Sequence, residues 1–61
     1  NEDKTSSYNF FEWIIENKPL EMKIRAMSKL LTMDMNLVLK YKNHPDENIR
    51  KALRQLMDFY L

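Results

Sequence analysis

Apolar positions recur along this chain at helical spacing, and the pattern is interrupted at two prolines. Residues 1–6 (Asn-Glu-Asp-Lys-Thr-Ser) hold no apolar side chain and read as a flexible leader to a single helical domain over residues 7–61. A first helix is expected to begin within residues 7–9, where Asn9 and Glu12 have capping-box spacing. Phe10, Phe11, Trp13, Ile14 and Ile15 then wrap more than one face and leave Glu12 and Glu16 as a polar stripe. Such a helix is expected at the heart of the core. It should stop at Asn17, because Lys18 precedes Pro19 and is pushed out of helical geometry.

Pro19 suits the first position of a second helix, where its missing N–H costs nothing. Leu20, Ile24, Met27 and Leu31 fall at i, i+4, i+7 and i+11, with Leu30 widening the stripe. Thr32 or Asp34 reads as the cap of a third helix with Met35, Val38 and Leu39 inward, ending near Asn43 for the same pre-proline reason. Pro45 opens a fourth helix, with Asp46 and Glu47 at the positive end of its dipole. Ile49, Leu53, Leu56 and Tyr60 give the clearest apolar stripe of the chain, and Ala52 allows close approach. Glu21–Arg25, Asp46–Arg50, Glu47–Lys51 and Arg54–Asp58 have i, i+4 spacing for ion pairs on helix surfaces.

The fold class expected is therefore all-α: a compact bundle of four short helices arranged as two stacked helical hairpins. Composition agrees, since β-branched residues are few and Leu, Met, Lys, Arg and Glu dominate. A chain of 61 residues can bury only a lean core. It has no glycine, which removes phosphate-cradling loops, dinucleotide fingerprints and standard calcium loops. It has no cysteine, which removes disulfides, thiolate metal sites and a cysteine nucleophile, and suggests a reducing, intracellular setting in cytoplasm or nucleus. No apolar run approaches the ~20 residues of a membrane span.

The net charge is +1, unevenly spread. Residues 1–22 carry two basic against five acidic side chains, and residues 23–54 carry eight against three.

Offsetting the chain by 26 residues aligns Asn17 with Asn43, Pro19 with Pro45, Glu21 with Glu47, Ala26 with Ala52 and Leu30 with Leu56. The one misfit is Ile24 against Ile49, out by a single position. The shared unit is a helix, an Asn-x-Pro-x-Glu corner and a second helix. The stretch His-Pro-Asp-Glu-Asn-Ile-Arg-Lys-Ala-Leu-Arg-Gln-Leu-Met at 44–57 resembles the second half of a HEAT-type repeat. In such repeats a Pro-Asp corner leads into a helix that starts Val/Ile-Arg and carries an Ala and a Leu. The resemblance covers some 20 residues, and the 26-residue spacing is shorter than that family's unit of about 40. It implies a stack of helical hairpins and a protein-binding surface, and carries over no functional residue.

No catalytic, cofactor-binding or metal-binding residue is assigned, and no small-molecule substrate is expected. His44 sits directly before Pro45 at a corner, which favours a structural role over catalysis. A triad can be written from Ser28, His44 and Asp46, but no strained nucleophile turn accompanies it. Glu12 and Glu16, one turn apart, read as the wet stripe of their helix.

Five methionines make an adaptable apolar set, and Met33 and Met35, either side of Asp34, cannot both turn inward. With Phe59 and Leu61 there is more apolar surface than four short helices can bury among themselves. The expected function is a protein–protein interaction module that binds a partner helix or a second copy of itself. The contact would use Met33, Met35, Leu37, Tyr41, Phe59 and Leu61, with Arg50 and Arg54 as polar rim. The alternative is a nucleic-acid-binding domain using Lys40, Lys42, Arg50, Lys51 and Arg54.

Overall fold

A computed structural model describes the backbone of residues 3–60 and the side chains of residues 8–60. Helix α1 runs Asp3–Asn17, α2 Leu20–Met33, α3 Asn36–Leu39 and α4 Glu47–Tyr60, and α3 continues as a 3-10 segment over Lys40–Asn43. Glu12 of α1 pairs with Lys40, and Glu16 pairs with His44, so α1 and the α3 segment run side by side in the same direction. Each is followed by a tight corner into α2 or α4. The result is two stacked hairpins, an all-α bundle in which α2 packs against α1, α3 and α4.

The corners fall where proline and polar caps dictate. The Asn17 side chain donates to the Trp13 carbonyl at 2.8 Å and the Lys18 N–H to that of Ile14 at 2.9 Å, closing the last turn of α1. Pro19, expected as the first residue of α2, is its N-cap, so the helix starts one residue later, and the Pro19 carbonyl accepts the first helical bond from Lys23. Asp34 is extended and caps α3, accepting the Asn36 N–H on its carboxylate at 3.0 Å. Asp46 does the same for α4 through the Asn48 N–H at 2.8 Å.

The core consists of Ile14 and Ile15 from α1, Ala26, Met27 and Leu30 from α2, Val38 and Tyr41, and Ile49, Ala52, Leu53 and Leu56 from α4. One charged residue joins it. Lys23 is 6% exposed and its ammonium donates to the Ile15 carbonyl at 2.6 Å. That carbonyl belongs to the last turn of α1, which leaves its final C=O groups without helical partners and carries the negative end of the dipole. A cation buried there is stabilised by both.

The buried positions of α2 (Lys23, Ala26, Met27, Leu30) and of α4 (Ile49, Ala52, Leu53, Leu56) are separated by 26 residues at every position. The misfit of the internal repeat is thereby resolved. Lys23, not Ile24, stands where Ile49 stands, and Ile24 is only partly buried. The inward stripe of α2 is correspondingly rotated from Leu20, Ile24 and Leu31, which pack at its margin.

Several expectations need correction. Residues 3–6 of the expected leader continue α1, while residues 1 and 2 lie outside the described residues. Once a packed helix is nucleated, extending it by a turn costs little, because each added residue gains a hydrogen bond. Asn9 is accordingly inside α1, not its cap. Nor is α1 surrounded, since Phe10 and Trp13 are more than half exposed and, of its described side chains, Ile14 and Ile15 alone are buried.

In the third element, Met35 and Leu39 face outward while Val38 and Tyr41 face in. Val38 and Tyr41, three residues apart, share one face across the junction of α3 with the 3-10 turn, and that face meets the core. Tyr60, expected on the inner stripe of α4, is exposed. None of the four i, i+4 pairs forms an ion pair among the described residues, where Glu12 of α1 pairs with Lys40 and Glu16 hydrogen-bonds His44.

Truncating Lys23→Ala removes a packed stem and strands the Ile15 carbonyl, and should cost about 2–4 kcal/mol. Lys23→Met, which keeps the stem, should cost less. Urea unfolding of the three proteins checks this, and unchanged midpoints would mean that the buried ammonium holds nothing together.

Candidate functional site

The residues expected to form one partner surface are divided by the fold. Met33 and Met35 are exposed at the corner between α2 and α3. Leu37 is half-buried against the core, and Leu61 lies outside the described residues. Tyr41 is 4% exposed and belongs to the core, a correction that follows from the face it shares with Val38. Phe59 is 83% exposed on the last turn of α4. Arg50 and Arg54 lie on α4 beside Lys42, away from Phe59's groove.

Three concavities organise the surface. The first is an apolar groove of about 390 Å³ between α2 and α4, with Ile24 and Leu56 along it and Phe59, Tyr60, Arg25 and Gln55 around it. Ser28 and the Tyr60 hydroxyl are within 3.2 Å, which fixes Tyr60 across the two helices. Phe59 and Tyr60 meet edge to face, with ring centroids 5.4 Å apart.

The second is a polar cleft of about 420 Å³ between α1 and the 3-10 segment, lined chiefly by Glu12, Trp13, Glu16, Lys40, Tyr41 and His44. Glu12 accepts from the Lys40 ammonium. The Asp46 N–H donates to His44 Nδ1 at 2.9 Å, so the neutral imidazole keeps its proton on Nε2, 3.0 Å from the Glu16 carboxylate. Both ring nitrogens are thus engaged, and Ser28 lies with Tyr60 instead. The Asp46 carboxylate accepts the Asn48 N–H, so no two side chains of the written triad bond to one another. The Lys18 ammonium stands 5.2 Å from the centre of the Trp13 ring, and the Lys40 ammonium 5.3 Å from that of Tyr41. Burial, reinforced by the charges of Glu12 and Glu16, pushes the Tyr41 phenol up from 10.0 to about 12.

The third is a cleft of about 300 Å³ between the 3-10 segment and α4, lined by Lys42, Arg50, Leu53 and Arg54. Arg50 is half-buried and donates from Nη1 to the carbonyls of His44 at 2.6 Å and Pro45 at 3.0 Å. Of the five cations considered for nucleic acid, these three share one cleft. Lys40 is turned to Glu12, and Lys51 is exposed outside that lining.

Glu12, Glu16 and His44 carry more of this surface than sequence reading gave them. The signal was present in register: two acids four apart, Glu12 and Glu16, and two bases four apart, Lys40 and His44. Reading it required knowing that the two segments run in the same direction. Among the described residues no group of three or more His, Asp or Glu is placed to hold a metal ion, and no helix is long and apolar enough to cross a membrane. Comparison with protein-family models, curated proteins and solved structures finds no match to this chain.

The Tyr41 shift carries a pH dependence. A phenol whose pKa is higher in the folded state than the unfolded value keeps its proton longer when folded, so its stabilising effect is complete below pH 10 and is lost as pH rises from 10 to about 12. Urea midpoints measured across that window should fall more steeply for the wild type than for Tyr41→Phe. Parallel curves would show that Tyr41 is not the group responsible.

Proposed function

We propose that this chain is a small helical protein–protein interaction module, of a regulatory or scaffolding kind, that docks a helix of another protein in the groove between α2 and α4. The observation that carries the reading is the groove itself: Ile24 and Leu56 inside it, and two exposed aromatic rings, Phe59 and Tyr60, standing at its edge. A solvent-facing aromatic pair beside an apolar channel is the arrangement that an amphipathic helix covers, with apolar side chains spaced i, i+3 and i+7 as anchors.

Charge selects the partner's character. Arg25 lines the groove and Lys29 follows it one turn later on α2, so the favoured helix carries acidic residues along the flank that meets α2. The stacking of two hairpins adds support, because it is the arrangement implied by the likeness of residues 44–57 to a HEAT-type repeat. On this reading the protein is not an enzyme: the imidazole of His44 and the carboxylates of Glu12 and Glu16 are taken up in holding α1 against the 3-10 corner. The cysteine-free composition supports a reducing, intracellular setting as part of this reading.

A model helical peptide with leucines at i, i+3 and i+7 and glutamates on one flank tests the reading by NMR titration. It should shift the resonances of Ile24, Leu56 and Phe59, and its lysine-flanked twin should bind more weakly. Phe59→Ala should weaken the acidic peptide about tenfold, the cost of losing an aromatic contact that the docked helix covers. The melting temperature should hold, because Phe59 is exposed. Equal binding by both peptides, or indifference to Phe59→Ala, overturns the proposal. Sedimentation velocity over a hundredfold concentration range supplies a second arm, in which a dimer lost in Phe59→Ala would assign the groove to a second copy and overturn the heterologous partner.

A further inference from the structure

The cleft between the 3-10 segment and α4 gathers positive charge without a counter-charge of its own. Lys42, Arg50 and Arg54 line it and, among the described residues, no acidic side chain does, although the whole chain carries a net charge of only +1. The acids nearest in sequence have other placements. Asp46 caps α4 with its carboxylate, and Asp58, one turn beyond Arg54, makes no ion pair with it among the described residues.

Arg50 is the element that makes this more than a charged patch. Its bonds to the His44 and Pro45 carbonyls use Nη1 alone, so the guanidinium is fixed at the cleft wall with its remaining N–H groups unassigned. A planar, permanently charged donor held in place loses little freedom when it binds an oxyanion. Leu53, buried in the core, gives the cleft an apolar floor, and low polarity on one side strengthens charge-assisted bonds on the other. The exposed Lys42 and Arg54 bring two further cations to the rim.

We infer that this cleft binds a phosphomonoester dianion carried on a side chain of a partner protein, at residues separate from the α2–α4 groove and independent of what that groove takes. The geometry favours one compact anion over a nucleic-acid strand. A strand is followed by a row of cations with rings on which bases stack. Here the row is broken where Lys40 turns to Glu12, and no aromatic side chain among the described residues lines the cleft.

The probes are inorganic phosphate, a short phosphoserine peptide with its unphosphorylated twin, and oligothymidylate, each titrated at constant ionic strength and followed by NMR. Phosphate and the phosphopeptide should give saturable shifts confined to Lys42 and residues 50–54, and the unphosphorylated twin should give none. Lys42→Gln and Arg54→Gln should each weaken phosphopeptide binding about tenfold, as expected for a lost charge-assisted bond. Both side chains are exposed, so the melting temperature should hold. Shifts spread equally over Lys18 and Lys29 would reveal general ion screening and overturn the inference. So would the absence of any advantage of the phosphopeptide over its twin. Tighter binding of oligothymidylate, with shifts reaching Lys40 and Lys51, would also overturn it and assign the surface to nucleic acid.

Discussion

A chain without glycine has to turn three corners without the residue that most readily takes a left-handed conformation, and every other feature here answers to that constraint. No described residue has a positive φ. The carbonyls at the helix ends are satisfied by side chains instead: Asn17 on Trp13, Thr32 on Lys29, Lys23 on Ile15, and Arg50 on His44 and Pro45. The two cations are one position out of register in the 26-residue repeat, yet each lies four residues past the N-cap of its helix, Pro19 for Lys23 and Asp46 for Arg50. Each returns a positive charge to the corner from which its helix has just emerged. The corner is thus stitched by the element that follows it, which couples the closing of each hairpin to the formation of its second helix.

Much of this architecture was legible in the sequence. The two prolines mark the entries to α2 and α4, and the pre-proline rule stops the preceding elements near Asn17 and Asn43. The stripe Ile49, Leu53 and Leu56 is the inner face of α4, with Ala52 beside it. What escaped has physical causes. Over an element this short, periodicity does not fix which face meets the core, and the inner face runs through Val38 and Tyr41 with Met35 and Leu39 outward. A buried lysine defeats a reading based on apolar residues, so the α2 stripe was drawn through Ile24. The 26-residue repeat already contained the correction, since its one misfit marked the place where Lys23 replaces an isoleucine.

The candidate surfaces were less legible, because they depend on which helices become neighbours. Phe59 could be recognised as surplus apolar surface, but its groove is completed by Ile24 from the other hairpin. The basic residues formed one set in the sequence and are sorted by the fold: Lys40 to α1, Arg50 to a corner, Lys42 and Arg54 to a shared cleft. The 3-10 segment does the sorting. Its tighter winding sends Lys40 toward one cleft and Lys42 toward another, with Tyr41 between them closing the core.

Trp13, the single tryptophan of the chain, stands 53% exposed on α1 with the Lys18 ammonium against its ring. Its indole already meets solvent over about half of its surface, beside a cation, so unfolding changes its surroundings less than those of a fully buried ring. Tryptophan emission, the customary optical reporter of tertiary structure, is in this molecule a reporter of the α1–α2 corner. The interior is observed through Tyr41, whose absorbance belongs to a ring that the core encloses.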